Sequence, residues 1–172
     1  MLRIDWRASA LAMALLATAC TTDAPTPVAS TETASVLSGA PSPIPGYDWH
    51  LTANGGESRL VYGMAESDAS VIGLSCADGS GQVELFSDVD TAAPAEFHME
   101  SGGDTTRVAA SSEPSAMTGG QYLTAETGAG DAVFRRFRST GWLALWRGDE
   151  RTVLAAQPGS SDNVDRFFAA CG

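Results

Sequence analysis

From Tyr47 onward, apolar and polar residues alternate in short runs punctuated by Gly, Asp, Ser and Pro. Val83, Leu85 and Val89 are flanked by Gln82, Glu84 and Asp88, the period-2 pattern of a strand with one face in a core. The same reading predicts strands over 49–53, 59–63, 71–76, 82–87, 96–101, 105–110, 121–126, 142–147 and 151–157. Asp78-Gly79-Ser80-Gly81 and Gly148-Asp149-Glu150 have the composition of hairpin turns. Two stretches change period. Over 131–139, Val133, Phe134 and Phe137 gather on one side of a helix that Gly141 can end. Over 161–170, Ser161, Asp162 and Asn163 offer N-cap chemistry, and Val164, Phe167 and Phe168 face inward. The expected fold is mainly β (α+β): an antiparallel sheet forming a sandwich or open barrel, with two short helices packed on it.

The first residues follow a different pattern. Arg3 and Arg7 precede twelve uncharged, mostly apolar residues ending at Ala19, and then comes Cys20. Twelve helical residues span roughly 18 Å, short of the ~30 Å hydrocarbon core, so a cleaved export signal over 1–19 is expected rather than a transmembrane helix. Leu16-Ala17-Thr18-Ala19-Cys20 resembles the bacterial lipobox, in which the cysteine is acylated and becomes the new N-terminus. That resemblance implies lipidation of Cys20 and anchoring in the cell envelope. Ala17-x-Ala19 also fits an ordinary signal-peptidase site, which would release a soluble periplasmic protein; an uncleaved anchor is the third possibility. Thr21 and Thr22 place no aspartate after the cysteine, which by resemblance to Gram-negative lipoproteins favours the outer membrane, facing the periplasm. Residues 20–46 are rich in Thr, Ala, Ser and Pro without helical or strand period, as in a disordered tether. Residues 47–172 are sufficient for one β-rich domain.

Cysteine usage agrees with export. Of three cysteines, lipidation of Cys20 leaves Cys76 and Cys171 as an even pair. In an oxidising compartment a disulfide is the default, with two buried thiols as the alternative. Neither cysteine lies in a Cys-x-x-Cys pair, and His50 and His98 are the only imidazoles, so no metal and no cofactor is expected. His98 and Met99 have copper-binding chemistry, but adjacent strand positions point to opposite faces.

Charge narrows the partners. Residues 1–19 contain Arg3, Arg7 and Asp5; without them, eight arginines face twenty acidic residues, a net charge of −12, and there is no lysine. Such a domain repels nucleic acid and anionic lipid surfaces, so nucleic acid is excluded as a partner. The cations concentrate at Arg135, Arg136 and Arg138, which either dock an anionic partner or are salted by neighbouring carboxylates.

Motifs of catalysis are sparse. There is no Gly-x-Ser-x-Gly elbow, Walker loop or dinucleotide glycine fingerprint. Asp88/Asp90, Asp149/Glu150 and Asp162/Asp165 could supply the two carboxyls of a hydrolase, yet most sit in expected turns, where acids are ordinary. No enzyme is expected, with a carboxylate-dependent hydrolase as the third choice of function. In Trp142-Leu143-Ala144-Leu145-Trp146, alternation separates the tryptophans from the leucines. With the leucines in the core, the tryptophans form either an aromatic strip open to a partner or a face covered by a helix.

Two resemblances bear on function. The stretch Trp146-Arg147-Gly148-Asp149-Glu150-Arg151-Thr152-Val153 resembles a hairpin of the membrane-bound inhibitors of C-type lysozyme, in which a Trp precedes a Lys-Gly pair, and Thr118-Gly119-Gly120-Gln121-Tyr122 resembles their Ser-Gly-Ala-x-Tyr loop. Cys76 and Cys171 sit where that family bridges an early strand to the chain end. The resemblance implies an acylated or periplasmic β-barrel that inserts loop residues into a lysozyme cleft, with Thr118, Tyr122 and Arg147 in those roles. Here Thr118 replaces the family's serine, Arg147 its lysine, and residues 127–141 are inserted between the two segments. In layout, the domain is also similar to small uncharacterised proteobacterial envelope lipoproteins that end in a Phe-Phe-x-x-Cys helix. The leading expectation is a non-enzymatic envelope lipoprotein, membrane-anchored by its N-terminal lipid, whose β-domain binds or braces a protein or peptidoglycan-related partner through Thr118, Tyr122, Trp142, Trp146 and Arg147. Inhibition of a lysozyme or other peptidoglycan hydrolase is the alternative.

Overall fold

The computed structural model describes residues 40–90 and 92–172; the expected leader 1–19, Cys20 and the tether up to residue 39 lie outside the described residues. The elements run β1 (Tyr47–Asn54), β2 (Glu57–Met64), β3 (Ser70–Ala77), β4 (Gln82–Val89), β5 (Glu96–Ser101), β6 (Asp104–Ala109), β7 (Ser111–Pro114), β8 (Gln121–Gly128), α1 (Ala132–Thr140), β9 (Trp142–Arg147), β10 (Glu150–Ala155) and α2 (Ser161–Cys171). Every strand and helix expected from the alternation forms; β7 was not foreseen. Asp88 and Val89 extend β4 and Glu150 opens β10, so these acids belong to strands rather than turns.

The strands make two antiparallel sheets, ordered β1-β2-β3-β4-β8-β7 and β10-β9-β5-β6. They are not closed into a barrel, and the sandwich alternative holds. Hairpin chemistry sets the first register: Asn54 pairs with Glu57 across Gly55 and Gly56, both at positive φ, the two-residue loop whose twist matches its strands. Inside the sandwich, Leu60, Leu74, Leu85 and Ala125 from the first sheet meet Phe97, Met99, Leu143, Leu145 and Leu154 from the second.

The helices complete the core at one end. Asp131 caps α1 by accepting from the Val133 amide at 3.0 Å, and the Gly141 amide closes it on the Phe137 carbonyl at 2.8 Å. Phe137 packs 4.8 Å from Trp49, and Phe134 lies 5.1 Å from Phe168 of α2. The Trp49 indole donates to the Leu154 carbonyl at 3.2 Å, tying the first strand of one sheet to the edge strand of the other. Cys76 and Cys171 form a disulfide that pins the end of α2 to β3. The turn between β3 and β4 meets the same helix end: the Gly79 and Gly81 amides donate to the Ala170 and Cys171 carbonyls, both at 2.7 Å. Ile44 packs against the core and its carbonyl accepts from the Gln157 side chain at 3.1 Å, so the packed domain begins slightly before Tyr47.

Candidate functional site

The alternation that puts Leu143 and Leu145 in the core also puts Arg147, the last residue of β9, on the inner face. Its Nη2 donates to Ser87 Oγ at 3.2 Å, and Ser87 Oγ donates to the Val71 carbonyl at 2.7 Å. The guanidinium stands 5.6 Å from the centroid of the Phe97 ring. Its Nη1 is buried and has no hydrogen-bond partner among the described residues. Arg147 also forms no ion pair among them, although Glu150 is its direct register partner across the hairpin. Burial holds the pKa of this guanidinium below its ordinary value.

Arg147 borders an open cavity of about 340 Å³ between the two sheets, at the far ends of β4 and β9 from the helices. Val71, Val89, Ala93 and Leu145 give it apolar walls, and Ser87, Thr118 and Thr152 contribute hydroxyl-bearing residues. Asp88, Asp90 and Glu150 also border it, leaving Arg147 as the one basic residue of the lining.

Thr118 is held at this mouth by the loop from β7 to β8. Ser115 donates to the Asp88 carboxylate while accepting from the Met117 and Thr118 amides, both at 3.2 Å. Thr118 Oγ1 in turn accepts from the Gly120 amide at 3.2 Å. At Gly120 a Cβ would come within 2.1 Å of the Val89 carbonyl oxygen, so only glycine lets the loop close against β4. Met117, at the tip, is 72% exposed.

The five residues singled out as partner contacts therefore divide. Thr118 and Arg147 come together at the cavity. Tyr122 does not: it pairs with Asp88 in β8, its neighbours Leu123 and Ala125 face the core, and it projects from the opposite face of that sheet. There, burial raises the pKa of its hydroxyl, with Arg59 acting in the other direction. Trp142 and Trp146 lie on the outer face of the second sheet, half-buried, under a side-chain lid rather than a helix. The Arg151 guanidinium sits 5.6 Å from the Trp142 ring and 5.9 Å from the Trp146 ring, and donates to both oxygens of Glu100, at 3.0 and 2.8 Å. Trp146 donates to the same carboxylate at 3.0 Å and stacks 5.6 Å from His98. Arg151 is the main cause of a lowered Glu100 pKa, reinforced by Trp146. Met99, beside His98 in sequence, is fully buried on the other face.

The three arginines of α1 are engaged within the domain. Arg136 pairs with Asp104 at 2.7 Å, Arg138 with Asp165 at 3.2 Å, and Arg135 donates to the Gly130 carbonyl. Sequence reasoning did not find Ser87 or Ser115, which position the site; small polar residues in strands and turns carry no pattern that marks them. Compared with models of known protein families, with curated proteins and with solved structures, the chain matches none.

Proposed function

We propose that this protein is a non-enzymatic lipoprotein of the cell envelope, held to the membrane through Cys20, whose β-sandwich receives a partner at the end where its two sheets part. The observation that carries this reading is the half-buried Arg147 in the wall of a cavity, its Nη1 without a partner and its charge without an ion pair among the described residues. A buried charge without a counter-charge costs several kcal/mol, and a fold dispenses with it easily by substitution. Arg151, on the adjacent strand, by contrast has a carboxylate and two indoles. Retaining Arg147 uncompensated is the signature of a group whose counterpart arrives from outside. Exposed Met117 and Thr118 at the rim offer apolar and polar contacts to that partner.

Inhibition of a peptidoglycan hydrolase is a second reading, supported by Thr118 and Arg147 sharing one mouth. It asks Arg147 to enter a cleft, whereas a half-buried side chain in a cavity wall is placed to receive a group rather than to reach out. A one-to-one inhibitor must still act near 150 mM salt, where an acidic surface no longer attracts a basic lysozyme strongly.

The test is site-specific photo-crosslinking of the full chain in living cells. A crosslinker at Thr118 should yield a defined adduct that competes away with excess unlabelled protein, and one at Arg135, exposed on α1, should not. Equal labelling from both positions, or from neither, contradicts the reading.

A further inference from the structure

The cavity's chemistry narrows what it receives; the inference rests on the binding function proposed above and names its ligand class. We infer that the cavity binds a small monocarboxylate, free or at the C-terminus of a peptide, whose carboxylate lies against Arg147 and whose short apolar body lies against Val71, Val89, Ala93 and Leu145.

Three observations carry this. First, Arg147 brings a positive charge to the cavity lining with no ion pair among the described residues; its Nη1 is closed to solvent, and its Nη2 is engaged only with Ser87, at 3.2 Å. A guanidinium presents paired N–H donors as a flat fork matched to the two oxygens of a carboxylate. Second, the lining holds one positive charge. A monoanion neutralises it; a phosphate dianion brings a second negative charge with no cation to meet it, beside Asp88, Asp90 and Glu150. These acids oppose any anion, but Asp90 and Glu150 are exposed, and a solvated carboxylate acts through water's high dielectric. The contact with Arg147 is made in a drier place and is stronger for the same separation. Third, a volume of about 340 Å³ lies at the small end of ligand pockets, and its walls include four aliphatic residues. That space suits an aliphatic acid or one or two small residues of a peptide end, not a sugar chain or an aromatic ring system.

Isovalerate and the peptide N-acetyl-Ala-Ala-Ala, each against its own carboxamide, test the inference on the full chain purified in mild detergent, with binding followed by calorimetry. At least one free acid should bind tenfold or more tightly than its amide, because the amide has the shape without the charge. Isovalerate alone binding identifies a free small acid as the ligand; the peptide alone identifies a C-terminus. Arg147→Gln should erase the preference, and Arg147→Lys should keep only part of it, since an ammonium lacks the fork. Acid and amide binding equally, a preference that survives Arg147→Gln, or inorganic phosphate displacing the acid at similar concentration would each overturn the inference. The acid-against-amide comparison needs no variant, so a folding defect in Arg147→Gln does not remove the test. If no acid is preferred while the Thr118 adduct still forms, the ligand class is wrong and the binding reading stands. If the adduct is absent as well, both fall.

Discussion

The two ends of the sandwich are built on opposite principles. At the helix end, α1 and α2 bring Phe134, Phe137, Phe167 and Phe168 into one aromatic cluster, with Phe137 against Trp49, all fully or almost fully buried, and the Cys76–Cys171 bridge fastens the last helix to β3. Most polar groups there are answered within the chain: Asp48 accepts from the Trp49 and Gln157 amides at 2.8 and 3.0 Å, and from Ser160, while the Tyr62 hydroxyl beside Trp49 is buried without a partner among the described residues but carries no charge. At the other end no helix intervenes. The sheets part around a cavity, and a charged group reaches inward with one donor unanswered. A domain of this size does not lack the means to close both ends. On the proposed reading, the helix end sets stability, while the open end gives some of it up at Arg147 in exchange for binding.

Three substitutions press on that contrast. The largest effect belongs to the helix end. Cys171→Ser opens a loop with a sequence separation of 95 residues, which should cost about 4–5 kcal/mol in urea unfolding by the chain-entropy relation. A loss below about 1 kcal/mol would mean that packing alone holds α2. Second, Arg147→Met at the open end should raise stability by about 1–3 kcal/mol, because it removes an uncompensated buried charge and leaves an apolar side chain of similar reach. It is the rare core-facing change expected to stabilise. Third and smallest, Glu100→Gln on the outer face of the second sheet should cost about 1 kcal/mol at neutral pH, since the Arg151 pair is only partly shielded from water. Its pH dependence has a definite sign. The folded pKa of Glu100 lies below its ordinary value of 4.5, so its contribution is present above that value and is lost as pH falls through the lower folded pKa. The difference between wild type and Glu100→Gln should therefore shrink below pH 4.5 in acid titrations of the unfolding midpoint.

Much of this architecture was legible in the alternation of residues. Strands such as Glu96–Ser101 and Trp142–Arg147 emerge at their observed bounds, because one face of each is apolar and the other is not. β7 was invisible: Ser111, Ser112, Glu113 and Pro114 are all exposed, and the strand exists only by pairing with β8 at the sheet edge. Sandwich against barrel was equally hidden. Closure depends on which strands pair, and β8 returns to lie beside β4 rather than beside β9.

The site was half legible. The pattern that separates Trp142 and Trp146 from Leu143 and Leu145 also assigns Arg147 to the leucine side, which is the clue that it faces inward rather than toward solvent. The fate of the tryptophans could not be read this way. Their cover is the side chain of Arg151, from the neighbouring strand, held in place by Glu100 from a third. Likewise, Thr118 and Tyr122 are close in sequence, but one lies at the loop mouth and the other on the far face of a sheet. Short spacing in a chain says little about faces once a turn intervenes.

The central claim, that Arg147 is kept uncompensated to receive a carboxylate, is tested most directly by urea unfolding of wild type and Arg147→Met at increasing concentrations of the acid found to bind. Without ligand, Arg147→Met should be the more stable; as acid is added, the wild type should rise with the logarithm of its concentration and overtake a variant that stays flat. A variant less stable than wild type from the outset, or two curves that rise in parallel, would contradict the account.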